Sequence, residues 1–328
     1  LIIGGGGLIE GGKFCEKEAS ESGWKMPFTE EVFQELDLQM PIFVVGVGVN
    51  YFRNIKGFTG FKNPETGRSG IEAFRSLIKR SDMFSVRNDG SLECAKALGL
   101  PESLMAQIEE IPDPGLIYDY ENERLTTSQI QKQEKLKVFQ PAFNKDRWYM
   151  IGRFVHDDNW NKVLNTPPSL DLAILPHTSK DYEHWDLVPS HPQAVWPLEY
   201  FQENAGIEKY QNLLDIYKNI GVSIAMRGHG QMIALGLNVP SIYFSTQDKV
   251  LNFSLKHDGL VKYTVDIRGQ ELGAPDPWYE MLPLMYENMI HNENYLINWY
   301  NIRDKLILDF KAQFNDFCQR MAERISST

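Results

Sequence analysis

Short apolar runs that end in glycine-rich or charged turns, alternating with stretches of helical spacing, constrain this chain more than any other feature. Residues 41–49 (PIFVVGVGV) are almost continuously apolar, as a strand covered on both faces of a parallel sheet must be. Residues 1–3 form a shorter strand that runs into Gly4–Gly7. Between Gly70 and Ser81, the apolar side chains Ile71, Phe74, Leu77 and Ile78 recur at helical spacing. Residues 83–86 read as a strand, and 91–98 as a helix with Ser91 as its N-cap, Gly99 closing it and Pro101 beyond. Residues 111–120 carry the turn signal Pro112-Asp113-Pro114-Gly115. This βαβα rhythm predicts a doubly wound sheet.

The chain then turns polar over residues 121–135, read as a connecting segment with one short helix. A second βα series follows, which divides the chain into an N-terminal domain over 1–135 and a C-terminal domain over 136–328. Strands are expected at 137–141, 171–175 (DLAIL), 222–226, 241–244 and 261–267, with helices at 159–164 and 207–219. From Leu296 through Trp299, Ile302, Leu306, Phe310, Phe314, Phe317 and Met321 to Ile325, apolar residues three or four apart predict one long amphipathic helix that packs on a core. The expected fold class is therefore α/β, with two Rossmann-like domains.

Composition narrows the function. The 328 residues carry a formal net charge of −11, and no basic cluster longer than Lys79-Arg80 occurs, which argues against a nucleic-acid partner. No run reaches the roughly 18 apolar residues of a membrane span. The opening Leu1-Ile2-Ile3, without a Met or a basic flank, reads as a trimmed start and not as a signal peptide. Cys15, Cys94 and Cys318 are too few and too scattered for a disulfide framework or a zinc site, so a reducing, cytoplasmic setting is expected. With no Asp-x-Asp pair, HExxH helix or CxxC motif in the sequence, no catalytic metal and no cofactor are expected.

Three stretches carry chemistry. Gly4–Gly7, with Gly5 and Gly6 at its centre, leaves bare backbone at a strand end. It reads either as a tight turn or as a wall that a ligand approaches closely. The run from Gly7 to Lys13 has P-loop spacing, but Phe14 stands where the Mg²⁺-binding hydroxyl belongs. In Ser85-Val86-Arg87-Asn88-Asp89-Gly90-Ser91, Arg87 sits at a strand end, either as an anion clamp or paired to a nearby carboxylate. The richest stretch is Met226-Arg227-Gly228-His229-Gly230. A buried strand delivers Arg227 and His229 into a turn, Gly228 and Gly230 let amides approach a ligand, and a helix starts at once. Its plain alternative is a capped helix with a structural histidine. His177, after the DLAIL strand, is a further cleft candidate, whereas His184, His191 and His257 read as surface residues.

Taken together, the LIIGGGGLI, FSVRNDGS and MRGHGQMIALGLNVPSIYFSTQDKVLNF stretches resemble the polysaccharide pyruvyl transferase family over most of residues 1–260. The last block is the most specific, with Arg227, His229, the Gly236–Pro240 step and a downstream Lys249. Two departures stand out. The family's Arg-Asp is here Arg87-Asn88-Asp89, and its initial Gly-Asn-x-Gly-Asp stretch has no counterpart, which raises the expectation of an incomplete N-terminal domain. The resemblance implies a glycosyltransferase-B-type architecture with the active site between two domains, phosphoenolpyruvate as donor and a glycan or its precursor as acceptor. It also implies Arg87 and Arg227 as anion ligands, helped by Gly228 and Gly230, with His229 as proton carrier and Lys249 on the departing phosphate. A nucleotide-sugar glycosyltransferase of the same architecture, or a glycan-binding protein without catalysis, are the competing readings.

Overall fold

A computed structural model describes residues 1–4, 9–10, 40–50, 70–97, 99–118, 121–132, 135–140, 173–175, 214–226, 228–245, 248–257, 259–266 and 278–327. In chain order the strands are β1 (Ile2–Gly4), β2 (Ile9–Glu10), β3 (Phe43–Val47), β4 (Val49–Asn50), β5 (Met83–Arg87), β6 (Ile108–Ile111), β7 (Leu136–Gln140), β8 (Ala173–Ile174), β9 (Ile220–Ala225), β10 (Ser241–Ser245) and β11 (Thr264–Asp266). The helices are α1 (Gly70–Arg80), α2 (Ser91–Ala97), α3 (Glu102–Met105), α4 (Thr127–Gln131), α5 (Gly228–Gly236), α6 (Asp248–Lys256), α7 (Trp278–His291) and α8 (Glu293–Ser327). Two compact units result. One combines Leu1–Ile117, Gln247–Lys256 and Leu308–Thr328; the other combines Tyr118–Thr246 and His257–Ile307.

The first unit is built on a parallel sheet of order β1-β3-β5-β6, with a small β2–β4 ladder beside it. Its inner strands β3 and β5 are covered on both faces, whereas Ile2 on the edge strand β1 is exposed, and the side chains divide by the period of two. Val44, Phe84 and Val86 join the α1 side chains Phe74, Leu77 and Ile78 in one cluster. Phe43, Met83 and Ile111 point the other way, onto Phe317 of α8. Phe74 and Phe84 meet with ring centroids 5.6 Å apart. Burial of each such side chain contributes about 1.5–3 kcal/mol, so sheet and helix depend on each other. The apolar run expected at 41–49 is interrupted. A register shift falls between Val44 and Val47, and Gly46 takes φ +59°. A Cβ at Gly46 would lie 2.9 Å from the Pro114 ring, which explains the glycine there.

The second unit holds a five-stranded parallel sheet of order β11-β10-β9-β7-β8. From β7 the chain goes outward to β8 on one side, then crosses to β9 on the other. The topological switch point therefore lies between β7 and β9, at their carboxyl ends, where open α/β sheets bind ligands. The connecting segment carries its short helix, α4, whose capping box joins Thr126 and Gln129. Residues 261–267, expected as strand, instead begin as a 3-10 turn over Leu260–Tyr263 before β11. Gly259 enters that turn at φ +92°, and the Thr264 hydroxyl donates to the Leu260 carbonyl at 2.9 Å.

The long C-terminal helix forms as the apolar spacing predicts. Leu296, Trp299, Phe310 and Phe317 are buried, while Ile325 near its end is exposed. The helix expected at 159–164 lies outside the described residues. No helix among the described residues is long and apolar enough to cross a membrane.

Candidate active site

The Gly228-His229-Gly230 stretch falls at the switch point of the second sheet. β9 ends at Ala225, which is in register with Gln140, the last residue of β7. The Met226 amide still donates to the Gln140 carbonyl at 3.0 Å, and α5 begins two residues later, at Gly228. Gly228, His229 and Gly230 are thus the first three residues of α5, where backbone N–H groups have no intrahelical acceptor and the positive end of the helix dipole lies. His229 is exposed and Gly230 buried. Arg227 lies outside the described residues.

A buried polar layer supports this turn, and the sequence reading did not single it out. Gln231 is fully buried, and its Nε2 donates to the Ala225 carbonyl at 3.0 Å, tying the helix start to the strand end. Its Oε1 is buried with no hydrogen-bond partner among the described residues. Gln140 Nε2 donates to the Ser223 hydroxyl at 2.7 Å, and the Tyr217 hydroxyl donates to Gln140 Oε1 at 2.9 Å. Burial pushes the Tyr217 hydroxyl far above its usual pKa, so it remains a neutral donor. A signal in the sequence was the position of Gln140, polar directly after the apolar Val138-Phe139 of β7.

The far end of α5 is fixed as firmly. Asn238 takes the left-handed conformation at φ 63°, and the Val239 amide returns to the Ala234 carbonyl at 2.8 Å. Asn238 Nδ2 donates to the Asn122 carbonyl at 2.7 Å, and the Asn122 amide donates to the Leu237 carbonyl at 3.0 Å. The Gly236–Pro240 step of the sequence is therefore a helix stop that leads straight into β10.

In the first unit Arg87 ends β5 at the carboxyl edge of its sheet, and its charge is already matched. Nη1 donates to Asp113 Oδ2 at 2.8 Å, Nη2 lies 3.0 Å from Asp89 Oδ2, and the side chain is 2% exposed. Burial works against the charged form, but the attraction of Asp89 and Asp113 outweighs it and raises the guanidinium pKa. The acid displaced by one position in the sequence, Asp89, is thus in contact with this arginine. Ser91, expected as an N-cap, is the first residue of α2. Its hydroxyl instead accepts from the Val49 amide at 2.9 Å and donates to Asp89.

Of the other candidates, Gly5, Gly6 and His177 lie outside the described residues, and Lys249 is described only as backbone within α6. Among the described residues no group of three or more His, Cys, Asp or Glu is placed to hold a metal ion.

Among solved structures, the chain is similar to a protein assigned as a UDP-N-acetylglucosamine 2-epimerase from Listeria monocytogenes, at 10% identity and TM-score 0.44, covering 96% of this chain and 75% of that one. It is also similar to the UDP-GlcNAc 2-epimerase from Neisseria meningitidis, at 11% identity and TM-score 0.42, over 83% and 69% of the two chains. A third likeness is to a variant of the wall teichoic acid polymerase TagF, at 16% identity and TM-score 0.31, over 83% and 70%. No curated protein matches the sequence at a significant level. The family profile for polysaccharide pyruvyl transferase, by contrast, matches residues 1–248, a span that contains Arg87, both parallel sheets up to β10, and the whole β9–α5 turn. The chain belongs to the polysaccharide pyruvyl transferase family.

Proposed function

We propose that this chain transfers the pyruvyl group of phosphoenolpyruvate to a sugar of a polysaccharide or glycan precursor, forming a pyruvate ketal. The observation that carries this reading is the placement of Gly228, His229 and Gly230 at the start of α5, directly after β9 and beside the β7–β9 switch point. An anion at that helix start meets the positive end of the helix dipole, with Arg227 immediately before it in sequence. Phosphoenolpyruvate carries two anionic ends, and both must be neutralised before a hydroxyl adds to its central carbon. In the proposed reaction the methylene carbon takes a proton and becomes the methyl group, and one acceptor hydroxyl bonds to the central carbon. A second hydroxyl then displaces phosphate, closing the ketal, and its proton leaves with the phosphate. His229, an exposed imidazole and so a side chain suited to accept or donate a proton, is assigned the proton transfer at the methylene carbon or at the attacking hydroxyl. Arg227 binds the donor, and Lys249 is assigned to the departing phosphate. Arg87 takes part only where a donor oxygen replaces Asp89 or Asp113 as its partner.

A thermal-shift comparison tests the donor class. Phosphoenolpyruvate should raise the melting temperature in a concentration-dependent way, as any ligand of the native state does, and UDP-glucose should not. A shift with UDP-glucose alone would instead support a nucleotide-sugar glycosyltransferase.

A further inference from the structure

We infer that Arg303 is a positioning residue for the donor site: it fixes the C-terminal end of α5 so that the helix start is held where the donor anion binds. The inference rests on the donor reading above. Arg303 lies on α8, beyond the segment matched by the family profile, which ends at residue 248. Its guanidinium is 2% exposed and uses its planar fork on the last turn of α5. Nε donates to the Leu235 carbonyl at 2.9 Å, and Nη2 donates to the Gly236 carbonyl at 2.7 Å. Nη1 is held in turn by Glu121 at 2.7 Å and by Asp304 at 2.9 Å.

Two physical consequences follow. A cation among the terminal carbonyls satisfies the negative end of the helix dipole, whereas the opposite end, at Gly228–Gly230, presents the positive end of the dipole to an anion. In addition, α5 is short and nearly all buried: Gly230, Gln231, Met232, Ala234, Leu235 and Gly236 have no solvent face to absorb a shift. A displacement at its C-terminal end is therefore passed along a rigid rod of about 1.5 Å per residue to its first turn. Asn122 and Asn238 hold the same end through the Asn238 side chain and the Asn122 amide, but among the described residues only Arg303 grips two successive α5 carbonyls with one charged group.

The test measures the dissociation constant of phosphoenolpyruvate by calorimetry, on the full chain, well below each variant's melting temperature. Arg303→Met should weaken donor binding by about tenfold or more, that is about 1.4 kcal/mol. Arg303→Lys, which keeps the charge but loses the fork, should recover part of the loss. Tyr300→Phe is the stability control. It removes the acceptor of the Leu125 amide, at 2.8 Å, in the same unit; it should lower the melting temperature and leave the dissociation constant within twofold or so of wild type. Should Arg303→Met fail to fold, Arg303→Lys and Glu121→Gln, which loosens Nη1 alone, carry the comparison. Variants that melt lower but bind phosphoenolpyruvate as wild type does would overturn the positioning role and leave the donor assignment standing. Wild type that shows no binding would overturn both.

Discussion

Arg87 Nη1 and Asp113 Oδ2 lie 2.8 Å apart with both side chains almost wholly buried, so the carboxyl edge of the first sheet is closed by an ion pair. Asp113 also accepts from the Gly115 amide at 2.9 Å through its other oxygen, which fixes the turn after β6. Breaking a buried pair leaves an uncompensated charge at a cost of about 3–5 kcal/mol. Asp113→Ala should therefore lower the melting temperature sharply in differential scanning calorimetry. An unchanged melting temperature would mean that Asp89 alone suffices to hold the guanidinium.

The same guanidinium lies across Gly48. A Cβ built there would come within 1.9 Å of Arg87 Nη2, and the two carboxylates leave that group little room to withdraw. Gly48→Ala should cost about 1–3 kcal/mol through overpacking, read as a reduced urea midpoint. The double variant Gly48→Ala with Arg87→Met should lose less than the sum of the two single changes, because the clash needs both partners.

Asp304 provides a pH signature. Its burial favours the neutral form, but hydrogen bonds from Arg124 and Arg303 outweigh that, and its pKa is held below the ordinary aspartate value. Its contribution to stability is consequently present above the unfolded pKa of about 3.9 and is lost as pH falls through the lower folded value. Asp304→Asn should melt below wild type at pH 6–7, and the gap should narrow once the pH drops under about 4. A gap of constant size across melts from pH 3 to pH 7 would show that the charge of Asp304 is not what matters.

For His229, the test is chemical. Replacement by Ala or by Gln should lower turnover by about 10²–10⁴ with little change in donor affinity, since Gln keeps hydrogen bonding but supplies no acidic proton. Should His229→Gln retain most activity with its fold intact, His229 is a capping or positioning side chain, and His177 becomes the first candidate for proton transfer.

Much of this was legible because apolar periodicity reports burial. The run at 41–49 becomes β3 and β4, and the spacing from Leu296 to Phe317 becomes the buried stripe of α8. What escaped reading has a physical cause in each case. β6 holds Glu109 and Glu110 at its centre, and these are carried by Arg320 at 2.6 Å and by Lys256, partners more than a hundred residues distant. α7 contains Pro283, which masks a helical pattern. The Arg87 pairing was open between a ligand and a carboxylate, since a strand-end arginine looks alike in both settings. The roles of Arg303, Asn122 and Gln140 depend on contacts made only when the chain folds, so no local pattern announces them. Near the candidate site, the helix start at Gly228 directly after β9 was readable because strand, glycines and helix pattern are contiguous.

The most direct test of the donor assignment is calorimetric titration of phosphoenolpyruvate into wild type and Arg227→Ala. A charge-assisted pair cut on one side loses on the order of 2–5 kcal/mol, or roughly thirtyfold or more in affinity. The account predicts saturable binding by wild type and a loss of that size in Arg227→Ala. Equal affinity in the two proteins, or no binding by wild type, would contradict it.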